Sequence, residues 1–180
     1  MHNGCTAKII RKLTIVLYLV SMKNTEQFFE EIRKGNLQGI KSLTEVEPQL
    51  VNATDSRGST PLILASYYNF LEITDFLIEK GAPIDEKDGT GNTALMGVCF
   101  KGFTTIAKKL IEHGANVNER NTMGATPLIY AVTFNKPEIA KMLLDKGADR
   151  SVKDARGNTA LDHAKLQGSA ALIDLLEAKG

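Results

Sequence analysis

Gly58-Ser59-Thr60-Pro61-Leu62 returns along this chain in closely related form at a constant interval. The later copies begin at Gly91, Gly124 and Gly157, so the period is 33 residues, without insertion or deletion. A fixed internal period between about 20 and 50 residues is typical of proteins built from stacked repeats. The period therefore predicts a solenoid in which each repeat buries its apolar side against its neighbours.

The residues around each pentapeptide predict a turn followed by a short helix. An Asp or Asn stands three residues before each glycine, where its side chain can bond to the turn backbone, and glycine accepts turn conformations that other residues resist. The threonine of each copy is a typical helix N-cap, and Pro61 and Pro127 suit the first helical position. The turn residues are Asp55, Asp88, Asn121 and Asp154, and the capping residues are Thr60, Thr93, Thr126 and Thr159.

A second helix is predicted in each copy, because two apolar columns recur on one helical face. This helix ends at Gly81, Gly114 or Gly147, the position expected of a left-handed C-cap. A column of small residues in the first helix lets neighbouring helices approach closely. The small residues are Ala65, Val98, Ala131 and Ala164, and the apolar columns are Ile73, Ile106, Ile139 and Leu172, and Leu77, Leu110, Leu143 and Leu176.

The two ends of the repeat region differ from its middle. Residues 24–54 lack the pentapeptide and are predicted to form a first, atypical capping repeat. In the last repeat, 154–180, the polar residues Asp162 and Lys165 occupy columns that are elsewhere apolar or small, as expected where no further repeat stacks. We therefore expect a tail, 1–22, and one repeat domain, 23–180, of about five repeats including both caps.

These features together resemble the ankyrin repeat. They are Thr60-Pro61-Leu62, the helix end Gly81-Ala82 with Asp85 close behind it, and the 33-residue period, over roughly residues 24–180. The resemblance implies an all-α solenoid of stacked antiparallel helix pairs, with β-hairpin-like turns projecting from one edge, and it implies binding to other proteins. The family usually has a histidine after Thr-Pro-Leu that helps to link neighbouring turns. This chain instead has Ile63, Met96, Ile129 and Asp162 there.

Composition narrows the class of partner. Lys and Arg number 22 against 21 Asp and Glu, for a net charge of +1, which is not the basic excess with which nucleic-acid binders neutralise phosphates. Cys5 and Cys99 have no metal-ligand spacing, and one pair is not a disulfide framework, so we interpret both as unpaired thiols in a reducing compartment. We expect a cytoplasmic monomer with no metal, no cofactor and no nucleic-acid partner.

Residues 1–22 leave three interpretations open. Lys8, Arg11 and Lys12 precede the apolar run 13–20, which is the outline of a secretory signal, but no A-x-A-like cleavage site follows. The run is also too short to span a bilayer, which takes about 20 residues. The segment is a tail ahead of a start at Met22, a signal or membrane anchor, or an apolar strip packed on the first repeat. A signal would indicate an exported or envelope-associated protective protein, periplasmic or secreted.

The sequence offers no pattern for catalysis. His113 occupies a column that otherwise holds lysine, and the repeat places no nucleophile beside His163. Gly89-Thr90-Gly91 lacks the spacing of a phosphate-binding loop. We therefore predict a non-catalytic adaptor rather than an enzyme.

Residues that differ between repeats are the candidates for partner contact. Tyr67, Phe100 and Phe134 stand at or beside one column of the first helices. Aromatic side chains with nearby cations are typical of interface hot spots. We therefore hypothesise a concave binding site with an aromatic centre. The alternative is that Phe100 or Phe134 packs beneath its own helix pair.

A row of cations precedes the turns, at Lys87, Arg120 and Lys153. This row predicts a basic edge that favours an acidic segment of a partner protein, unless the cations only balance the turn acids. The full set of predicted partner-binding residues is Arg57, Tyr67, Tyr68, Lys87, Thr90, Phe100, Lys101, Arg120, Met123, Phe134 and Arg156.

Overall fold

A computed structural model describes residues 21–178, and all regular structure in that range is helical. The first helix, α1, includes residues 21–34. The elements that follow are α2 (Leu37–Val46), a 3₁₀ helix (Pro48–Asn52), α3 (Pro61–Tyr67), α4 (Leu71–Glu79), α5 (Ala94–Lys101), α6 (Thr104–Glu112), α7 (Pro127–Thr133), α8 (Pro137–Asp145), α9 (Ala160–Gln167) and α10 (Ala170–Glu177).

The interpretations of the N-terminal segment fall mostly outside the described residues. The signal-like run 13–20 and Cys5 both lie there, so these interpretations stay predictions. Residues 21 and 22 are already helical, so α1 includes two residues that the sequence-based boundary placed in the tail. Within residues 21–178, no helix combines the length and the apolar character needed to cross a bilayer.

Two layers of helices form the predicted solenoid. Helices α3, α5, α7 and α9 pack in succession as an inner layer, and α4, α6, α8 and α10 pack in succession as an outer layer. Each inner helix also packs on the outer helix that follows it in the chain. The β-hairpin-like projections are turns in which the Asp55 amide donates to the Ser59 carbonyl at 3.0 Å, as Asp88 does to Asn92 at 2.9 Å. The predicted all-α fold of stacked helix pairs is confirmed.

The core follows the columns predicted from the sequence. Every described member of the two outer-helix columns is buried, and so is every member of the small-residue column. Leu161 is the departure, because it is only partly buried while its counterparts Leu62, Leu95 and Leu128 are fully buried. Leu161 belongs to the last repeat of residues 21–178, so no described repeat stacks on its outer side.

The polar residues of the last repeat lie where a terminal cap needs them. Asp162 and Lys165 are exposed, while Met96 and Cys99, which occupy the same columns, are completely buried. Asp162 also accepts hydrogen bonds from the amide and hydroxyl of Thr159 at 2.8 and 2.7 Å, which completes a capping box at the start of α9. The exposure of Asp162 and Lys165 agrees with the predicted C-terminal cap, and the cap itself stays a prediction.

Leu110→Ala tests how strongly the stacked layers depend on one column. Leu110 is fully buried between neighbouring outer helices, so its truncation should lower the free energy of unfolding by about 2–5 kcal/mol in urea titrations. Lys108→Ala, two residues away in the same helix and exposed, should change it by no more than about 0.5 kcal/mol. Equal effects from the two variants would contradict this packing.

Candidate functional site

One side chain organises each turn of the solenoid. Oδ1 of Asp55 accepts the backbone amides of Arg57 and Ser59, both at 2.9 Å. Oδ1 of Asp88, Asn121 and Asp154 accepts the two equivalent amides of its own turn. The following glycine adopts a left-handed conformation, with φ of 75° at Gly58. The turn role predicted for these residues is confirmed.

Backbone hydrogen bonds link the tips of successive turns. The Gly89 amide donates to the Arg57 carbonyl at 3.2 Å, the Thr122 amide to the Thr90 carbonyl at 3.2 Å, and the Ala155 amide to the Met123 carbonyl at 2.8 Å. Three of the predicted partner-binding residues, Arg57, Thr90 and Met123, therefore stand in one row along the edge of the solenoid. All three residues are exposed.

The structure brings the predicted aromatic residues together. The rings of Tyr67 and Phe100 lie parallel to within 4°, with centroids 6.4 Å apart, and the edge-to-face pair Phe100 and Phe134 has centroids 4.4 Å apart. Phe100 is 36% exposed and Phe134 is 39% exposed, so neither is enclosed beneath its own helix pair. We call the surface between the inner helices and the turns, with this aromatic row along it, the groove. The partner-binding role of its residues stays a prediction.

Tyr68 and Lys101 extend the aromatic row. The Tyr68 ring lies 5.9 Å from that of Tyr67, edge to face, and 6.0 Å from that of Phe70. The Lys101 ammonium lies 4.9 Å from the centre of the Tyr67 ring and 5.9 Å from that of Phe103. Cations at this distance from a ring face are attracted by its quadrupole, so Tyr67 already holds one cation.

Two cations of the predicted basic edge, Lys87 and Arg120, make their contacts within the protein. The Lys87 ammonium lies 2.6 Å from a carboxylate oxygen of Glu119 and donates to the Arg120 carbonyl at 3.0 Å. The Arg120 guanidinium donates to the carbonyls of Gly124 and Lys153 at 3.3 and 2.9 Å. The hydrogen bond from Lys87 holds the pKa of Glu119 below its ordinary value. Lys87 and Arg120 therefore link adjacent repeats instead of lining the groove.

Tyr130 is a groove residue that the sequence analysis missed. Its hydroxyl donates to Oδ1 of Asn92 at 3.0 Å and accepts from Nδ2 of Asn121 at 3.1 Å, and its ring stacks at 6.1 Å on Phe134. Burial, with a smaller contribution from the charge of Asp88, raises the pKa of Tyr130. The signal for this role lay in one inner-helix column, where Tyr130 and His163 each carry a polar tip towards the turn that precedes them.

The groove contains two adjacent cavities. One, of about 330 Å³, lies between the turn of Asp88 and helices α3, α5 and α7, and the other, of about 210 Å³, lies between the turn of Asp154 and helices α7 and α9. Tyr130 and Phe134 line both cavities and separate them. The predicted residues Met123, which is 55% exposed, and Arg156 line the second cavity.

The described residues contain no cluster suited to binding a metal ion. Along residues 21–178, no three His, Cys, Asp or Glu side chains lie close enough to hold a metal ion. Cys99 is completely buried, and this burial raises the pKa of its thiol, so the thiolate needed for nucleophilic attack is disfavoured. His163 contacts Asp154 at 2.8 Å, which is a link between helix and turn.

A solenoid of helix pairs with turns along one edge defines a class of repeat proteins, and comparison with known families identifies which. A family model described as ankyrin repeats in three copies matches residues 28–121, 75–154 and 98–180. The chain therefore belongs to the ankyrin repeat family, whose members generally serve as protein–protein interaction modules.

Curated proteins that match this chain are much longer than it is. Ankyrin repeat and SAM domain-containing protein 6 is 32% identical over 65 residues in mouse, 31% in rat and 30% in zebrafish. Each match covers 36% of this chain and 7% of the mouse and rat proteins or 9% of the zebrafish protein. The chain therefore corresponds to less than a tenth of the length of these relatives.

The link between Asp154 and His163 predicts acid sensitivity in the last repeat. Burial raises the pKa of Asp154, but hydrogen bonds from the Asn158 amide, His163 and the Arg156 amide outweigh it, so the net pKa is lowered. A lowered pKa in the folded state adds stability above the unfolded value of about 4, and this stability is lost as pH falls through the folded value.

Thermal unfolding followed against pH tests this sign. Asp154→Asn keeps the turn acceptor and removes the charge, so wild type should be more stable than this variant at neutral pH. The difference should shrink as pH falls below about 4. A difference that is constant from neutral pH to below about 3 would contradict the prediction.

Proposed function

We propose that this chain is a non-catalytic adaptor that binds a protein partner in the groove. The observation that carries the proposal is the row of Tyr67, Phe100 and Phe134, which come from three successive repeats and form one ring cluster, with Tyr67 partly buried and Phe100 and Phe134 exposed. Stacking of the repeats requires neither Phe100 nor Phe134 to lie on the surface, because the core columns are filled by other residues.

Exposing an aromatic cluster to water is unfavourable in free energy, and burying it at an interface favours binding. A buried Phe or Tyr removes about 150–250 Å² from water, and aromatic pairs add about 0.5–1.5 kcal/mol beyond that area. The rings of the groove also contact one another, so they are ordered before a partner arrives. Because the rings are ordered beforehand, their side chains lose less conformational entropy on binding.

The charges that remain around the groove favour an acidic segment of the partner. Arg57 and Arg156 lie exposed at turn tips, and Lys101 lies exposed beside the aromatic row. Lys87 and Arg120, which the sequence analysis placed in the same basic edge, are engaged with neighbouring repeats. Rim cations of this kind chiefly accelerate association with an acidic partner and make it dependent on salt.

Selection from a displayed library of short disordered peptides tests the proposed function. Peptides that bind the wild-type chain should lose at least about 100-fold in affinity when Tyr67, Phe100 and Phe134 are all replaced by Ala, because hot-spot side chains each contribute about 2 kcal/mol or more. Titration calorimetry measures the loss, and circular dichroism verifies that the variant stays helical.

Phe76→Ala is the matched control on the outer layer. Phe76 is an aromatic residue of α4 with two lysine ammoniums near its ring, Lys41 at 5.7 Å and Lys80 at 5.6 Å. It therefore combines an aromatic ring with cations, as the groove does, on a surface away from the turns. We expect peptide affinity to be unchanged in this variant. Selected peptides that bind the triple variant as tightly as wild type would refute the proposed function.

A further inference from the structure

Each turn Asp or Asn has a second polar side-chain atom besides Oδ1, which is Oδ2 in aspartate and Nδ2 in asparagine. The contacts of this second atom distinguish one repeat from the others. Oδ2 of Asp55 lies 3.1 Å from the Arg33 guanidinium, and Oδ2 of Asp154 lies 2.8 Å from the His163 ring nitrogen. In the third turn, Nδ2 of Asn121 donates to the Tyr130 hydroxyl and to Oδ1 of Asn92. Each of these three turns therefore receives a partner from within the chain.

Asp88 is the exception. Its Oδ1 accepts the Thr90 amide at 2.8 Å, the Thr90 hydroxyl at 2.7 Å and the Asn92 amide at 2.9 Å. Within residues 21–178, its Oδ2 accepts no hydrogen bond and lies near no cation. The carboxylate is held in place by one oxygen, and Asp88 lines the 330 Å³ cavity.

Gly97 explains why this carboxylate has no internal partner. Tyr130 and His163 each stand nine residues after their turn Asx and contact it, and Gly97 stands nine residues after Asp88. Neither a positive φ nor crowding requires glycine there, since an added Cβ would lie 3.6 Å from Cδ2 of Tyr67, an ordinary contact. The missing side chain opens the cavity in front of Asp88.

The walls of this cavity are suited to a cation. Its aromatic lining consists of Tyr67, Phe100, Tyr130 and Phe134, and its one charged lining residue is Asp88. Lys101 holds an ammonium 4.9 Å from the Tyr67 ring centre but does not line the cavity. In the neighbouring 210 Å³ cavity, by contrast, His163 and Arg156 are part of the lining.

We propose that the cavity in front of Gly97 receives the guanidinium of an arginine side chain of the partner protein. The guanidinium pairs with Oδ2 of Asp88 and lies against the ring faces. It thereby gives Asp88 the kind of contact that His163 gives Asp154 and Arg33 gives Asp55. Guanidinium is planar, stacks on aromatic faces and binds carboxylates through parallel hydrogen bonds, whereas a lysine ammonium is compact and more strongly hydrated. The proposal rests on the proposed function and specifies one contact within the same groove, an arginine flanked by acidic residues that face the rim cations.

Titration of the whole chain with Nα-acetyl-arginine amide, followed by the backbone amide signals of Asp88 and Gly97, tests the proposal directly. We expect saturable binding in the millimolar range, as about two weak contacts allow. Nα-acetyl-citrulline amide, which has nearly the same shape without charge, should bind at least about tenfold more weakly, since hydrogen bonds between charged groups are stronger than those of neutral groups. Equal binding of the two compounds, or the absence of saturable shifts, would overturn the proposal.

Asp88→Asn tests the carboxylate itself. Asn121 shows that an asparagine supports the same turn through Oδ1, so this variant should fold, and it should bind the arginine compound at least about tenfold more weakly. Asp154→Asn makes the same change in the turn whose aspartate is already paired with His163, and it should leave binding of the arginine compound unchanged. Gly97→His should reduce binding in the same way as Asp88→Asn, because the ring fills the cavity. Equal affinities of wild type and Asp88→Asn would refute the assignment.

The selected peptides separate this contact from the proposed function. Peptides that lose affinity in the triple aromatic variant and, to a lesser degree, in Asp88→Asn support both proposals. Peptides that lose affinity in the triple variant but bind Asp88→Asn as tightly as wild type leave the groove as the binding site and overturn the arginine contact. Peptides that bind both variants like wild type refute the proposed function.

Discussion

In every turn of this solenoid, one side-chain oxygen of an aspartate or asparagine accepts two backbone amides of the same turn. This double acceptor fixes the turn, and the threonine that follows then starts the inner helix by accepting the amide three residues on, as Thr126 does from Ile129 at 3.3 Å. The turn also fixes the direction of the second atom of the same side chain. Where that atom meets His163 or Tyr130, it links the turn to an inner helix, so one local interaction contributes to both the scaffold and the polar edge of the groove.

The turns along the groove differ in the partner of this second atom. In three turns another side chain of the protein contacts it, and in the turn of Asp88 no described residue does. Where the inner helix supplies His163 or Tyr130, the turn and the helix are linked, and the polar atom is unavailable to a ligand. Where the helix supplies Gly97, the carboxylate of Asp88 faces a cavity with aromatic walls. A change at one helical position is therefore enough to convert a structural link into a recognition site, without altering the repeat.

The sequence predicted the fold well, because each part of the repeat is determined by residues close together in the chain. The turn at Asp55, the cap at Thr60 and the glycine at Gly81 all act within a few residues of themselves, and the buried columns follow from helical spacing. The aromatic row was also predicted as a set, since Tyr67, Phe100 and Phe134 recur at nearly the repeat period.

Contacts between repeats were not predictable in the same way. The period places Lys87 near Arg120, but it does not tell whether the ammonium turns to Glu119 or to the groove. Tyr130 and Gly97 were missed for the same reason, because their significance depends on a turn residue that faces them only after the chain folds.

A recognition group on a rigid repeat has an energetic advantage over the same group on a mobile loop. Asp88 is held by three hydrogen bonds through one oxygen, so little conformational entropy is lost when the other oxygen meets a partner. Burying a carboxylate without a cation is costly, but this one is only partly buried, so water solvates it until a cation arrives. The aromatic rings beside it are already packed against each other and need no rearrangement. Since each of the four full repeats contributes a turn acceptor and an inner helix, specificity in such a fold depends on which inner-helix positions lack a side chain that reaches the turn, and in the repeat of Asp88 that position is Gly97.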